Sequence, residues 1–234
     1  MKRKIVWNVS ICAVAGLLLL FAGHKIQTAQ TSGIPQSHRP TVILDAGHGG
    51  MDGGAVSVTN TLEKDINLDI TLRLRDLLTA YAFPVVMVRE TDVSIHDSSA
   101  VSIREIKRSD LHNRLALTKK YDNCILLSIH QNFFTESKYS GAQFFYSINH
   151  PESKRLAQYF KDYFRAHLQP ENSREIKPSG NNIYLMRYTQ IPAVLAECGF
   201  LSNPLEAELL DSEEYRQKIA VSLLCGILNY YRDT

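Results

Sequence analysis

The segment Thr41-Val-Ile-Leu44-Asp45-Ala-Gly-His48-Gly-Gly50 joins a β-branched apolar run to a turn with three glycines. A run of this composition directly after Pro40 reads as a short strand. The glycines let the backbone turn sharply and approach a ligand closely. The turn lacks the G-x-G-x-x-G spacing and the GK[ST] ending of phosphate-binding loops, so a nucleotide cradle is not indicated. Two readings of His48 stand side by side at this point: a metal or catalytic residue at a strand end, or a turn histidine.

Working outward, strands and helices alternate. Leu62, Ile66, Ile70, Leu74, Leu77 and Tyr81 mark one face of a helix over 61–81. Residues 84–88 and 124–129 are apolar runs of strand length, and 141–148 reads as a fourth strand. Helices are expected over 110–121 and 153–168, and from near 212 through Tyr231. Residues 182–186 and 193–196 read as further short strands. Two stretches, 90–109 and 169–181, fit no element and read as long loops of the kind that wall a site. Helices between continuous apolar strands give the expected fold class: α/β, a single domain with a mostly parallel twisted sheet and helices on both faces.

Three strand ends carry the unusual residues. The first runs into His48, the third into His130-Gln131-Asn132, and the 193–196 strand into Glu197-Cys198. Ligands of α/β sheets bind outside the carboxyl ends of the strands, so His48, His130 and Glu197 are expected to converge there. Glu63 is open to two readings. Asn60 followed three residues later by Glu63 fits a loose capping box, and a first-turn carboxylate beside the glycine turn also suits a ligand. Glu197 follows Pro192-Ala-Val-Leu-Ala196, and a carboxylate in such surroundings must be paired or bound to a cation. Burial also raises its pKa toward a general base's working range. A structural ion pair with an arginine is the alternative.

The 234 residues include 26 basic and 24 acidic ones. Five of the basic residues (Lys2, Arg3, Lys4, Lys25, Arg39) fall within 1–40, which holds no acid, so the remainder carries a net −3. That leaves no basic footprint for a nucleic acid on the body. Lys2, Arg3 and Lys4 precede an apolar run over 5–23 without a convincing small-x-small cleavage site. Residues 1–23 are therefore expected to be a membrane segment, an uncleaved anchor in preference to a cleaved signal peptide, with the body outside the cytoplasm. Residues 24–40 form a polar linker, and 41–234 the folded domain. Cys12, Cys124, Cys198 and Cys225 show no C-x-x-C spacing and read as small hydrophobes. His24, His38, His96, His112, His150 and His167, and the basic group Arg104, Lys107 and Arg108, read as solvated or incidental.

Four motifs in this order carry a resemblance: Asp45-Ala-Gly-His48-Gly-Gly-Met-Asp-Gly-Gly-Ala55, Glu63-Lys-Asp65, Ser128-Ile-His130-Gln-Asn132 and Glu197-Cys-Gly-Phe-Leu-Ser-Asn203-Pro. Over roughly 41–232 the chain resembles the zinc-dependent N-acetylmuramoyl-L-alanine amidases, amidase type 3. Within that family it is most similar to the germination-specific enzymes of the spore cortex. The resemblance implies a Zn2+ cofactor held by His48, Glu63 and His130, with Glu197 catalytic, and so favours the ligand reading of Glu63. Two histidines and one glutamate with an open fourth position form a catalytic zinc set. Gln131 and Cys198 depart from the family's usual residues, and strand alternation should turn Cys198 away from Glu197.

The resemblance implies hydrolysis of the amide between N-acetylmuramic acid and the L-alanine of peptidoglycan stem peptides. In spore cortex, a separate deacetylase would then form muramic lactam. Asp45 is a candidate hydrogen-bond acceptor for His48. Arg89 and Asn132 are candidates for substrate contact or loop anchoring. The competing functions are a wall-binding protein without turnover and a zinc carboxypeptidase acting within the stem peptide. An accessory protein partner is a further expectation, because no separate wall-binding repeat is read in the chain.

Overall fold

The computed structural model describes residues 39–233. The apolar run over 5–23 and most of the linker lie outside them, as do His24 and His38. Among the described residues no helix is long and apolar enough to cross a membrane.

In chain order the elements are β1 (Thr41–Ala46), α1 (Glu63–Ala80), β2 (Val85–Met87), α2 (Ile103–Thr118), β3 (Cys124–Asn132) and β4 (Gln143–Tyr146). They continue with α3 (Glu152–His167), β5 (Lys177–Pro178), α4 (Tyr184–Tyr188), β6 (Ala193–Phe200), α5 (Pro204–Asp211) and α6 (Glu213–Arg232). The sheet order is β2-β1-β3-β6-β4-β5. Strands β2, β1, β3 and β6 pair in parallel, as do β4 and β5, while β4 runs antiparallel to β6. The sheet is thus mixed, with the parallel part at the strands that carry the unusual residues.

Strand alternation divides the core. Val42, Leu44, Ile125, Leu127, Val194, Ala196 and Cys198 face α1, α3 and α6, where Ile66, Ile70, Leu74 and Leu78 form one helical stripe. Ile43, Leu126 and Leu195 face a smaller cluster with Leu115 of α2 and Leu185 and Met186 of α4. Asp45, Ser128, His130 and Glu197 continue this second face toward the carboxyl ends of the strands. Cys198 falls on the opposite face and is fully buried, as alternation requires.

Several boundaries differ from the sequence reading. Residues 182–186 form no strand: Tyr184–Tyr188 is a short helix whose Leu185 and Met186 plug the smaller cluster. A five-residue apolar run carries no period that separates the two states. The stretch 90–109 is not all loop, because α2 begins at Ile103 behind a Ser102/Glu105 capping box. Residues 169–181 contain the two-residue strand β5. Helix α5 is an element beyond the sequence reading; Asn203 caps it by accepting from the Leu205 and Glu206 amides, with Pro204 at its first position.

Candidate metal centre

Beyond Ala46 the chain still runs beside β3, the Gly47 amide donating to the Ile129 carbonyl at 3.0 Å. A Cβ on Gly47 would stand 2.2 Å from Cε1 of His130, so only glycine fits beneath that ring. His48 then adopts a left-handed backbone conformation, φ 62°, costing on the order of 1–3 kcal/mol for a residue with a side chain. Its ring Nε2 lies 3.2 Å from Glu63 Oε2, and its Nδ1 lies 3.0 Å from Asp52 Oδ2. His130 Nδ1 lies 3.1 Å from Glu63 Oε1. The two imidazoles meet edge-on, with centroids 5.0 Å apart.

Glu63 opens α1, where the exposed amides of the first turn favour a negative charge. Its carboxylate accepts from the Ala55 amide (2.9 Å), the Gln131 amide (3.2 Å) and Asn67 Nδ2 (3.2 Å). Gly54 sits left-handed at φ 68°, and a Cβ there would fall 2.5 Å from Glu63 Oε2. The capping-box reading of Asn60 and Glu63 does not hold. Leu62 is the N-cap, no side chain caps the helix, and Asn60 is itself left-handed (φ 68°).

His48, Glu63 and His130 each offer a ligand atom, and these atoms lie within 4.8 Å of one another. They form the one such group of three or more histidine, cysteine or acidic residues among the described residues. His96, His112, His150 and His167 take no part in it. Glu197 pairs in register with His130 across β3 and β6. Its Oε2 is buried without a hydrogen-bond partner.

The charges of the site differ sharply. Burial alone would lower the His48 pKa, but hydrogen bonds and charge from Glu63 and then Asp52 lift it to about 9. Burial would raise Glu63; its hydrogen bonds to His130 and His48 more than offset that and hold it well below the usual carboxylate range. Glu197 has no such partner. Burial, with repulsion from Glu63, lifts it to about 7 against the pull of the two histidines.

Asp45 does not orient His48. It accepts from Ser128 Oγ (2.6 Å) and from Arg114 Nη1, and these contacts with the His130 charge hold its pKa down despite burial. The acceptor for the His48 ring is Asp52, which lies in the same glycine-rich motif and also binds Lys107 Nζ at 2.9 Å. Lys107, though exposed, therefore reaches the site and lines its cavity. Arg89 is a loop anchor: it donates to the carbonyls of Ala46 (2.9 Å), Gly47 (3.0 Å), Lys64 (2.8 Å) and Thr91 (3.1 Å). Asn132 ends β3, and its carbonyl accepts from the Leu201 amide. A cavity of about 400 Å³ opens from the cluster toward α2 and α4, walled by Ile103, Ile106, Leu111, Ile183 and Tyr184, with Glu197 at its inner end.

An α/β sheet with a two-histidine, one-glutamate cluster at its carboxyl edge has the donor set of a metal site with an open position, placed where α/β sheets bind their ligands. Residues 42–229 match the family model described as N-acetylmuramoyl-L-alanine amidase. The chain belongs to that family. It is 36% identical over 238 residues to the germination-specific N-acetylmuramoyl-L-alanine amidase of Bacillus subtilis, covering 100% of this chain and 98% of the relative. The CwlD amidase from Clostridioides difficile, solved in complex with the GerS lipoprotein, superposes with a TM-score of 0.80 at 40% identity. That alignment covers 84% of this chain and 100% of CwlD. The catalytic domain of the CwlV amidase from Bacillus (Paenibacillus) polymyxa gives a TM-score of 0.69 at 28% identity, over 83% of this chain and 99% of that domain.

Proposed function

We propose that this amidase hydrolyses the bond between the lactyl group of N-acetylmuramic acid and the L-alanine of peptidoglycan stem peptides. Its ligands for zinc are His48, Glu63 and His130, and its proton carrier is Glu197. The observation that carries the reading is the convergence of three ligand atoms within 4.8 Å beside a buried carboxyl oxygen that has no partner. The donor set fits zinc, because two imidazoles and one carboxylate leave a fourth coordination position for substrate or water. Zinc bound there supplies Lewis acidity toward the scissile carbonyl and toward water.

The remaining chemistry falls to the chain. Glu197 accepts the proton of the attacking water and returns it to the departing L-alanine nitrogen. Asp52 fixes the orientation of the His48 ring through Nδ1, so that Nε2 faces Glu63 and the ligand position. Apolar side chains of α2 and α4 wall the cavity beside these groups.

The full-length similarity to a germination-specific amidase supports spore-cortex peptidoglycan as the substrate. The peptide-free muramic acid would then pass to a separate deacetylase for lactam formation. The enzyme acts outside the cytoplasm, held at the membrane by residues 1–23. The GerS complex of CwlD supports an accessory lipoprotein partner. The test is mass spectrometry of peptidoglycan treated with the full chain, with and without a chelator. Intact stem peptides with an N-terminal alanine and peptide-free glycan should accumulate, and chelation should stop both. Shortened peptides still attached to glycan would identify a carboxypeptidase instead, and no product at all a binding protein.

A further inference from the structure

His48 occupies a backbone region that residues with side chains seldom adopt. Asp52 and Glu63 hold its ring nitrogens. The main chain is held separately, through its carbonyls. Three consecutive carbonyl oxygens, those of Ala46, Gly47 and His48, are gathered by two guanidinium groups. Arg89 takes the first two. Arg114 of α2 takes Ala46 O at 3.0 Å and His48 O at 2.7 Å.

Arg114 is itself fixed from both sides, and its side chain is only 3% exposed. Nη1 pairs with Asp45, which Ser128 of β3 holds from beyond. Nε donates to Asp110 at 2.6 Å, and Asp110 is held by the Ile95 amide (2.8 Å) and Ser94 Oγ (3.0 Å). The guanidinium is therefore braced before it meets the His48 carbonyl. Ser128 stands two residues before His130 on the same strand, so one buried network refers both histidines to a common frame.

We propose that Arg114 is a positioning residue for the metal centre: its bond to the His48 carbonyl holds the left-handed turn that aims the imidazole at Glu63 and His130. The proposal rests on reading those three residues as metal ligands. Lysine cannot substitute, because a single ammonium lacks the planar fork that meets Asp45, Asp110 and the His48 carbonyl in fixed directions.

The test measures zinc affinity of the full chain by competition with a chromophoric chelator, beside circular dichroism and thermal unfolding of the metal-free protein. Arg114→Lys is expected to keep its spectrum and bind zinc roughly 10–100-fold more weakly. An arginine with a purely structural role would lower the metal-free Tm and leave the affinity of the folded fraction alone. A folded Arg114→Lys with wild-type zinc affinity therefore overturns the proposal. If that variant does not fold, Asp110→Ala, which frees Nε while leaving the Asp45 pair, is measured the same way. Weaker zinc binding there supports the proposal, and unchanged binding overturns it. His48→Ala is the control for the ligands themselves: undiminished affinity in that variant overturns the ligand reading and the proposal with it.

Discussion

Glu63 and Glu197 are carboxylates of one site whose surroundings push them in opposite directions. Glu63 sits between two imidazoles and three N–H donors and stays ionised, as a ligand must. Glu197 lacks a partner for Oε2 and is lifted to about 7, where a group can both take and give a proton. Divergent surroundings of this kind separate a ligand from a proton carrier. Glu197→Gln should lower kcat on the order of 10²–10⁴-fold while zinc binding persists; an undiminished rate would remove Glu197 from the chemistry. The base works ionised, so the rate falls as pH drops through its pKa. A cation bound nearby stabilises the carboxylate, which places the acid limb of kcat/KM below 7, and Glu197→Gln should lack that limb. Gly47→Ala is a second case at this scale. Its Cβ would stand 2.2 Å from the His130 ring, so the ring must shift; overpacking of this kind costs about 1–3 kcal/mol. Weaker zinc binding and a lower Tm should appear together in that variant, and an unchanged Tm would show that the loop relaxes freely.

Strands β1, β3 and β6 are legible because they are buried on both faces and read as unbroken apolar runs, and their ends expose His48, His130 and Glu197 as misfits. What escaped reading depended on local backbone geometry. Asp45 looked like the acceptor for His48 because it precedes the turn, yet alternation aims it at Ser128 and Arg114, and the left-handed step at His48 swings the ring to Asp52. The start of α2 was hidden because its first turn is mostly exposed, with Ile103 64% accessible, so no apolar stripe marks it. The signal present was the cap: Ser102 Oγ accepts from the Glu105 amide, and Glu105 accepts from the Ser102 amide at 2.9 Å. With little burial to hold it, this turn depends on that cap. Ser102→Ala should cost about 0.5–2 kcal/mol. Hydrogen exchange should quicken over the first turn of α2 and spare its C-terminal half, which Arg114 and Leu115 bury. Uniform protection along α2 would show that the cap contributes nothing.

Across the molecule, the two faces of the sheet are held by different means. The α1, α3 and α6 side is a continuous apolar cluster. The α2 and α4 side has a smaller one and adds the ion pair of Arg114 with Asp45, whose side chains are 3% and 1% exposed. Removing Asp45 leaves the buried guanidinium with Asp110 as its remaining carboxylate partner, at a cost of up to about 3–5 kcal/mol. Asp45→Asn should therefore destabilise the fold strongly at neutral pH, and the size of the effect should depend on acidity in a definite direction. The folded pKa of Asp45 lies below its ordinary value of 3.8. The unfolded chain therefore binds a proton at this site more readily than the folded one. The pair's full contribution is present above about pH 4 and is lost as pH falls through the lower folded value. Denaturant unfolding of the metal-free protein at a series of pH values should show a wide gap between wild type and Asp45→Asn near neutrality that closes below pH 4. A gap of constant width would mean that the variant suffers from altered packing and not from the lost charge, and α2 would then owe its seat to the Leu115 cluster and to the bonds of Arg114 with the Ala46 and His48 carbonyls.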